Sequence, residues 1–439
     1  MTDRRALDRD ILRLAVPALG SLIAEPIFLA VDAAMVGHLG VAELAGLGIA
    51  SAVLTTVVGL MVFLAYSTTP AVARRFGAGD LRGAVSVGID GLWLALAIGA
   101  VLGVAGFLAA PALVAAFAPT ADVAPHAQAY LAVSMVGLPA MLLVFAATGL
   151  LRGLQDTVTP LRVAVVGFTA NALLNALFIY GFGWGVAGSA AGTVVVQWGM
   201  VAAYALLIGR LARRHGAPLR PHRAGLRGSA RSGGWMFLRT ASLRLATLAT
   251  VWVATGLGTR ELAGWQVVFT IFTTAAFALD ALAIAAQALV GKALGEGDPD
   301  AVRAVTGRTM RWGVWSGVVA GAAIAALSGV IGLLFTGDRA MADFVQPALL
   351  VLAVSQPIAA FVFVLDGVLM GADDARYLAL AGGLNLLPYL PALFALAWLS
   401  PSGPSGLTWL AAAFGGVFMV ARGITLGLRV RGRAWLGTA

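Results

Sequence analysis

Cysteine is absent from the 439 residues, so a disulfide framework, a thiolate metal site and a cysteine nucleophile are all excluded. Charge is scarce: 11% of residues are Asp, Glu, Lys or Arg, against about 25% in a soluble domain. Lysine is scarcer still, Lys292 being the single one. The four histidines, His38, His126, His215 and His222, lie far apart, with neither metal-ligand spacing nor a partner set for nucleophilic catalysis. These absences point away from an enzyme and from any bound cofactor.

What remains is apolar. Hydrophobic residues make up 60% of the chain, in runs of 20 to 30 residues separated by short polar breaks. Such runs span a bilayer as helices, not as barrel strands, so the expected class is an all-α integral membrane protein. Twelve spans are expected, near 11–37, 42–70, 84–110, 126–150, 160–182, 186–209, 234–256, 261–290, 305–335, 344–370, 376–399 and 405–428. The first run is of full length and lacks a small-residue cleavage site, so it is expected to stay as a span.

The net charge of +9 does not mark a nucleic-acid binder, because the arginines sit in the breaks between spans. With a cytoplasmic N-terminus, nearly all of them fall on the inner side, including the run from Arg210 to Arg231 and Arg422, Arg429, Arg431 and Arg433; only Arg260 and Arg339 fall outside. This is the positive-inside pattern. It places both termini in the cytoplasm and the chain in the cell's inner membrane, and the linker arginines against lipid headgroups.

That arginine-rich linker, residues 210–233, separates 1–209 from 234–439, each with six spans. The halves repeat at an offset of 218 residues. GHLGVAELAG from Gly37 aligns with TGLGTRELAG from Thr255, FGAGD from Phe76 with LGEGD from Leu294, and TGLLRGLQD from Thr148 with DGVLMGADD from Asp366; Pro139 aligns with Pro357. Two six-helix lobes related by a pseudo-twofold axis are expected, with a substrate site near mid-membrane. The Gly-Asp repeats read as helix ends and caps, not as phosphate loops.

Polar residues within the spans are few. Glu25 and Asp32 stand on one face of the first span, seven residues or about 10 Å apart. A carboxylate at such depth costs roughly 2.5–3.5 kcal/mol on insertion scales and faces a partner, a cavity or an ion path. Pro26 between them removes a backbone hydrogen bond and marks a weak point in the helix. Asn171 and Asn175 share a face of the fifth span, and Thr193 of the sixth reaches a similar depth. With Asp32 they form either a polar cluster around one titratable group or interhelical hydrogen-bonding glue. In the second half, depth matches Arg244 to Asp280 and Arg239 to Asp366. A membrane-embedded arginine demands such a partner, and structural ion pairs are the expected role.

At VDAAMVGHLG (from Val31), LLRGLQDTVTPL (from Leu150) and FVLDGVLMGADDARYLA (from Phe363) the chain resembles the multidrug and toxic compound extrusion (MATE) transporters. QP…VFVLDG from Gln356 and FLRTASLR from Phe237 resemble the family's DNA-damage-inducible protein F branch. The resemblance covers the whole chain. It implies an antiporter that exports amphipathic, often cationic compounds against inward proton flow, with sodium as the alternative ion; the chain is expected to work as a monomer. The resemblance further implies that Asp32 is central to coupling, with Asn171, Asn175 and Thr193 around it and Thr148 as an outlying member. The depth count alone places Thr148 too far inward. Where some members carry a second aspartate this chain has Asn175, which removes a charge that a two-carboxylate sodium site needs. The competing expectations are a flippase for lipids or lipid-linked precursors and a non-transporting membrane scaffold or receptor.

Overall fold

The computed structural model describes residues 4–437; the terminal residues expected in the cytoplasm, 1–3 and 438–439, lie outside the described residues. The described residues form an all-helical chain, with twelve long helices among them. They are α1 (Arg4–Gly37), α2 (Val41–Gly77), α3 (Leu81–Ala115), α4 (Ala124–Gly153), α5 (Val158–Gly181) and α6 (Gly185–His215), then α7 (Arg223–Leu257), α8 (Thr259–Gly295), α9 (Pro299–Thr336), α10 (Arg339–Gly371), α11 (Ala375–Leu399) and α12 (Pro404–Arg431). Among the described residues, eleven are long and apolar enough to cross a membrane by length and composition. The twelfth, α7, matches them in length but begins in the arginine-rich stretch and carries Arg239 and Arg244. This is a multi-pass membrane protein.

The helices start and stop for local reasons. Asp80 accepts from Gly83 N at 2.7 Å at the head of α3, and Asp298 accepts from Asp300 N and Ala301 N at 2.9 Å at the head of α9. Gly79 and Gly297 just before them have φ of +77° and +70°, which a side chain resists. The stretch 210–233 is mostly helical: α6 runs to His215 and α7 begins at Arg223, so only 216–222 is irregular.

The chain forms two compact units, Val16–Gly233 and the remainder. The 218-residue repeat reappears in their packing. In the first, a Cβ on Gly149 of α4 would lie 2.7 Å from Ala65 O of α2, and one on Gly99 of α3 2.6 Å from Pro139 Cα. In the second, Gly367 of α10 faces Ala283 of α8 and Gly317 of α9 faces Pro357, each residue 218 further on. Small residues let membrane helices approach where no hydrophobic effect drives them together. Gly367→Ala would set a methyl 2.7 Å from Ala283 Cα. We expect it to cost about 1–3 kcal/mol, read as a lower melting temperature in detergent. Gly307→Ala, which has open space around it, is the control. Equal melting temperatures for the two variants would refute this packing.

The unit boundaries fall within α1 and α7, again 218 residues apart, at Val16 and Gly234. The opening of α1 therefore packs with the second unit: Arg308 of α9 donates twice to Asp8 at 2.5 Å, and Trp312 Nε1 donates to it at 2.8 Å. The position equivalent to Arg308 is Asp90 of α3, in the first unit. Asp90 is buried and accepts from His222 N at 2.8 Å, at the head of α7, where the helix dipole favours a negative charge.

Candidate functional site

Asp32 lies in the C-terminal half of α1 and is 3% exposed. Three other helices each bring it a donor. Tyr130 of α4 donates its hydroxyl to Oδ2 at 3.2 Å, and Asn175 of α5 donates Nδ2 to Oδ1 at 2.8 Å. Ser189 of α6 donates its hydroxyl to Oδ1 as well. Asn171 and Asn175, one turn apart, are joined by Asn175 Nδ2 donating to Asn171 Oδ1 at 2.9 Å. Asn171 Nδ2 then donates to Thr193 Oγ1 at 3.0 Å, and Thr193 donates to Ser189 O at 3.1 Å. The structure thus gathers Asp32, Asn171, Asn175 and Thr193 in one hydrogen-bonded network.

Its members are neutral apart from Asp32, and the charge is met by three donors instead of a cation. Asn175 spends both amide hydrogens, while its Oδ1 is buried with no hydrogen-bond partner. Directly after Asn175 the backbone of α5 loosens into a π turn, Leu177–Gly181. Such turns recur at functional sites. Here it aims Tyr180 at α1, where its hydroxyl donates to Met35 O at 2.7 Å. Phe28 stacks on Phe168 at 4.9 Å, so α1 is tied to α5 on both sides of Asp32.

Tyr130 and Ser189 are the members that the sequence reading missed. Ser189 was legible, being one turn before Thr193 on the same face. Tyr130 was not, because nothing local ties it to Asp32, 98 residues away. Thr148 does not join the network. It lies eighteen residues beyond Tyr130 on α4, about 27 Å along the axis, and its hydroxyl meets Tyr204 OH at 3.5 Å.

Beside the network, within the first unit, is a cavity of about 350 Å³. Asp32, Tyr130 and Thr193 line it, as does Glu25, which is exposed to it. α1 is helical through Pro26. Proline has no N–H, so Leu22 O lacks its usual helical donor there.

The second unit holds a different cluster. Arg239 of α7 pairs with Asp366 of α10, and Arg422 of α12 donates to the same carboxylate at 3.0 Å; all three are buried. The Arg239–Asp366 match is therefore made. Arg422, counted with the cytoplasmic tail, is instead inside α12. Its signal was an arginine within an apolar run, which calls for a partner. The expected Arg244–Asp280 pair is not made. Arg244 is exposed, because five residues along a helix turn it about 140° from Arg239, and Arg239 has the inward side. Asp280 contributes instead to the electrostatics at Arg422.

The repeat sets the two clusters in register. Thr148 and Tyr204 are equivalent to Asp366 and Arg422, so one position carries a neutral contact in the first unit and an ion pair in the second. Conversely, Asp32 and Asn171 correspond to Thr250 and Tyr389, whose hydroxyls meet at 2.5 Å. The positions equivalent to Tyr130, Asn175, Ser189 and Thr193 are Ala348, Leu393, Leu407 and Ala411. The titratable network therefore exists in one repeat and has an uncharged replica in the other. Among the described residues no group of three His, Asp or Glu side chains could hold a metal ion.

Comparison with known proteins is consistent along the chain. The MatE family model matches residues 17–177 and again 236–388, once in each half. "Protein DETOXIFICATION 44, chloroplastic" of Arabidopsis thaliana is 31% identical, over 98% of this chain and 82% of its own length. DNA damage-inducible protein F of Escherichia coli (strain K12) is 27% identical, over 95% and 91%. The structure of a MOP superfamily transporter from Pyrococcus furiosus superposes with a TM-score of 0.87 at 22% identity, covering 100% of this chain and 99% of that one.

Proposed function

The chain belongs to the MatE (multidrug and toxic compound extrusion) family, and on that premise we propose that it is a secondary active multidrug efflux antiporter of the DNA-damage-inducible protein F branch. It exports amphipathic, often cationic compounds in exchange for protons by alternating access. It works as a monomer in the cell's inner membrane with both termini in the cytoplasm. The observation that carries the proton reading is the site of Asp32: a carboxylate enclosed by hydroxyls and amides from three other helices, with no cation beside it.

A proton changes what such a site can do. Ionised Asp32 accepts from Tyr130, Asn175 and Ser189. Protonated, it becomes a donor, and one of those donors must let go. Asn175 supplies the matching acceptor, since its Oδ1 is unused and a half-turn of the amide presents it to the new hydroxyl. That rotation breaks the Asn175–Asn171 bond, so the proton is felt along α5 to Asn171 and across to Thr193 of α6. Pro26 is where α1 yields to the change. Proton and substrate then favour different conformations, which is what exchange requires.

The test is transport in proteoliposomes under separately imposed proton and sodium gradients. Export driven by the proton gradient alone supports the reading, and export driven only by sodium overturns it. Asn175→Asp sharpens the distinction. It sets a second carboxylate at the position now 2.8 Å from Asp32 Oδ1, where two charges hold a cation or share a proton. The variant is expected to gain sodium-driven export that the parent lacks.

A further inference from the structure

We propose that a groove between α5 and α6 of the first unit seats an acyl chain of an anionic phospholipid, with Arg162 at its mouth receiving the phosphate. The groove has a volume of about 460 Å³. Val166, Ala170 and Leu174 of α5 form one wall, and Val195, Gly199 and Ala203 of α6 the other; Arg162 is the single charged residue among those that line it. It shares no lining residue with the cavity beside Asp32. At 100° per residue, it lies about a third of a turn around each helix from Asn171 of α5 and from Thr193 of α6. The site is therefore separate from the Asp32 network, and it stands whichever compound the chain exports.

Length, floor and charge each suit that occupant. The rise along α5 from Arg162 to Leu174 is about 18 Å, against roughly 15 Å of hydrocarbon in one leaflet. At Gly167 a Cβ would lie 2.8 Å from Met200 Sδ, so the methionine lies across the glycine and makes an adaptable floor. Gly199 has no atom within 4 Å of where its Cβ would stand, so the trough is open there. Arg162 is exposed and forms no ion pair among the described residues. On α6 the face that holds Ala203 continues to Arg210 and Arg214, seven and eleven residues on and both exposed, so positive charge extends beyond the mouth. A basic pocket between spanning helices recognises a lipid phosphate, while the apolar trough behind it takes the chain. The same charges disfavour a second copy of this chain, because a twofold axis along the membrane normal would set these arginines against their own counterparts.

The experiment titrates the full chain, purified in maltoside detergent, with palmitoyl-oleoyl phosphatidylglycerol and separately with phosphatidylcholine of the same chains. Bound lipid and oligomeric state are read together by native mass spectrometry. The parent is expected to bind the anionic lipid more tightly. Arg162→Gln should weaken that binding about fivefold, the worth of one basic residue near a headgroup, and leave the choline lipid nearly unchanged. Arg376→Gln, the same loss of charge at an exposed position of α11 in the second unit, should do neither. Gly199→Leu fills the trough from its open position and should weaken both lipids. On the unmodified chain, a phosphatidylglycerol carrying a diazirine in its acyl chain should label peptides of α5 and α6, and Gly199→Leu should remove that label. Equal weakening by Arg162→Gln and Arg376→Gln would reduce the effect to diffuse attraction and overturn the assignment. So would a parent without label on α5 and α6, or label that Gly199→Leu leaves in place. A dimer that Gly199→Leu dissolves would overturn it in favour of a second copy.

Discussion

Asp32→Asn is expected to yield a folded protein whose pH-driven export falls to the level of protein-free vesicles. Asparagine keeps the shape of the side chain, and its single oxygen can still accept from Ser189 at the Oδ1 position while its amide nitrogen, at the Oδ2 position, faces the Tyr130 hydroxyl as a donor. It fixes the site in a neutral form that resembles the protonated state, and removes the step in which charge appears and disappears. The network loses no packing volume, so yield and melting temperature should stay close to those of the parent. Substrate binding measured without a gradient should persist, because asparagine has the size of the cavity-lining side chain it replaces and the rest of the wall is untouched. Ser189→Ala and Tyr130→Phe each remove one donor and should shift the pH dependence without abolishing export. Undiminished pH-driven export by Asp32→Asn would move the coupling away from this cluster, with Glu25 and Asp366 as the next carboxylates to test.

Asp366→Ala is expected to have the largest effect on folding. The carboxylate serves two guanidiniums, so its loss takes from Arg239 and Arg422 the acid they share. Breaking a buried pair costs roughly 3–5 kcal/mol by analogy with soluble proteins, and here two like charges remain together. Folded yield should drop sharply, further than for Arg239→Ala or Arg422→Ala, each of which leaves one pair intact. The internal repeat supplies the rescue. The equivalents of Arg239, Asp366 and Arg422 are the neutral residues Ser21, Thr148 and Tyr204, of which Thr148 and Tyr204 meet and Ser21 bonds back to its own helix. The triple variant Arg239→Ser, Asp366→Thr, Arg422→Tyr should therefore recover much of the folded yield that Asp366→Ala loses. If it recovers stability and export together, the ion pairs are structural. If it recovers stability and export stays low, the charges take part in transport. A triple variant no better folded than Asp366→Ala would show that the neutral contact does not fit the second repeat.

The sequence by itself determined the membrane class, the helix count and the internal repeat. Long apolar runs have one stable form in lipid, because each backbone group must be paired within its own segment. The repeat was legible because glycines at helix crossings and aspartates at helix heads do local work, and that work survives as identity at a fixed offset. Asp32, Asn171, Asn175 and Thr193 could be grouped from depth and helix face alone, since both follow from counting residues. What counting leaves out is rotation about each helix axis, and the tertiary structure decided everything that depends on it. It turned Arg239 inward and Arg244 outward, gave Asp366 a second partner in Arg422, and left Thr148 with Tyr204, far from Asp32. It brought Tyr130 to Asp32 across 98 residues and left Glu25 facing a cavity. It also put the heads of α1 and α7 beyond the limits expected for their halves, ending the first unit at Gly233 and not at 209. The physical reason is common to all of these. Depth in a membrane helix is a sum over local rises of about 1.5 Å per residue, whereas facing is settled only when whole helices pack and each buried polar group has found its partner.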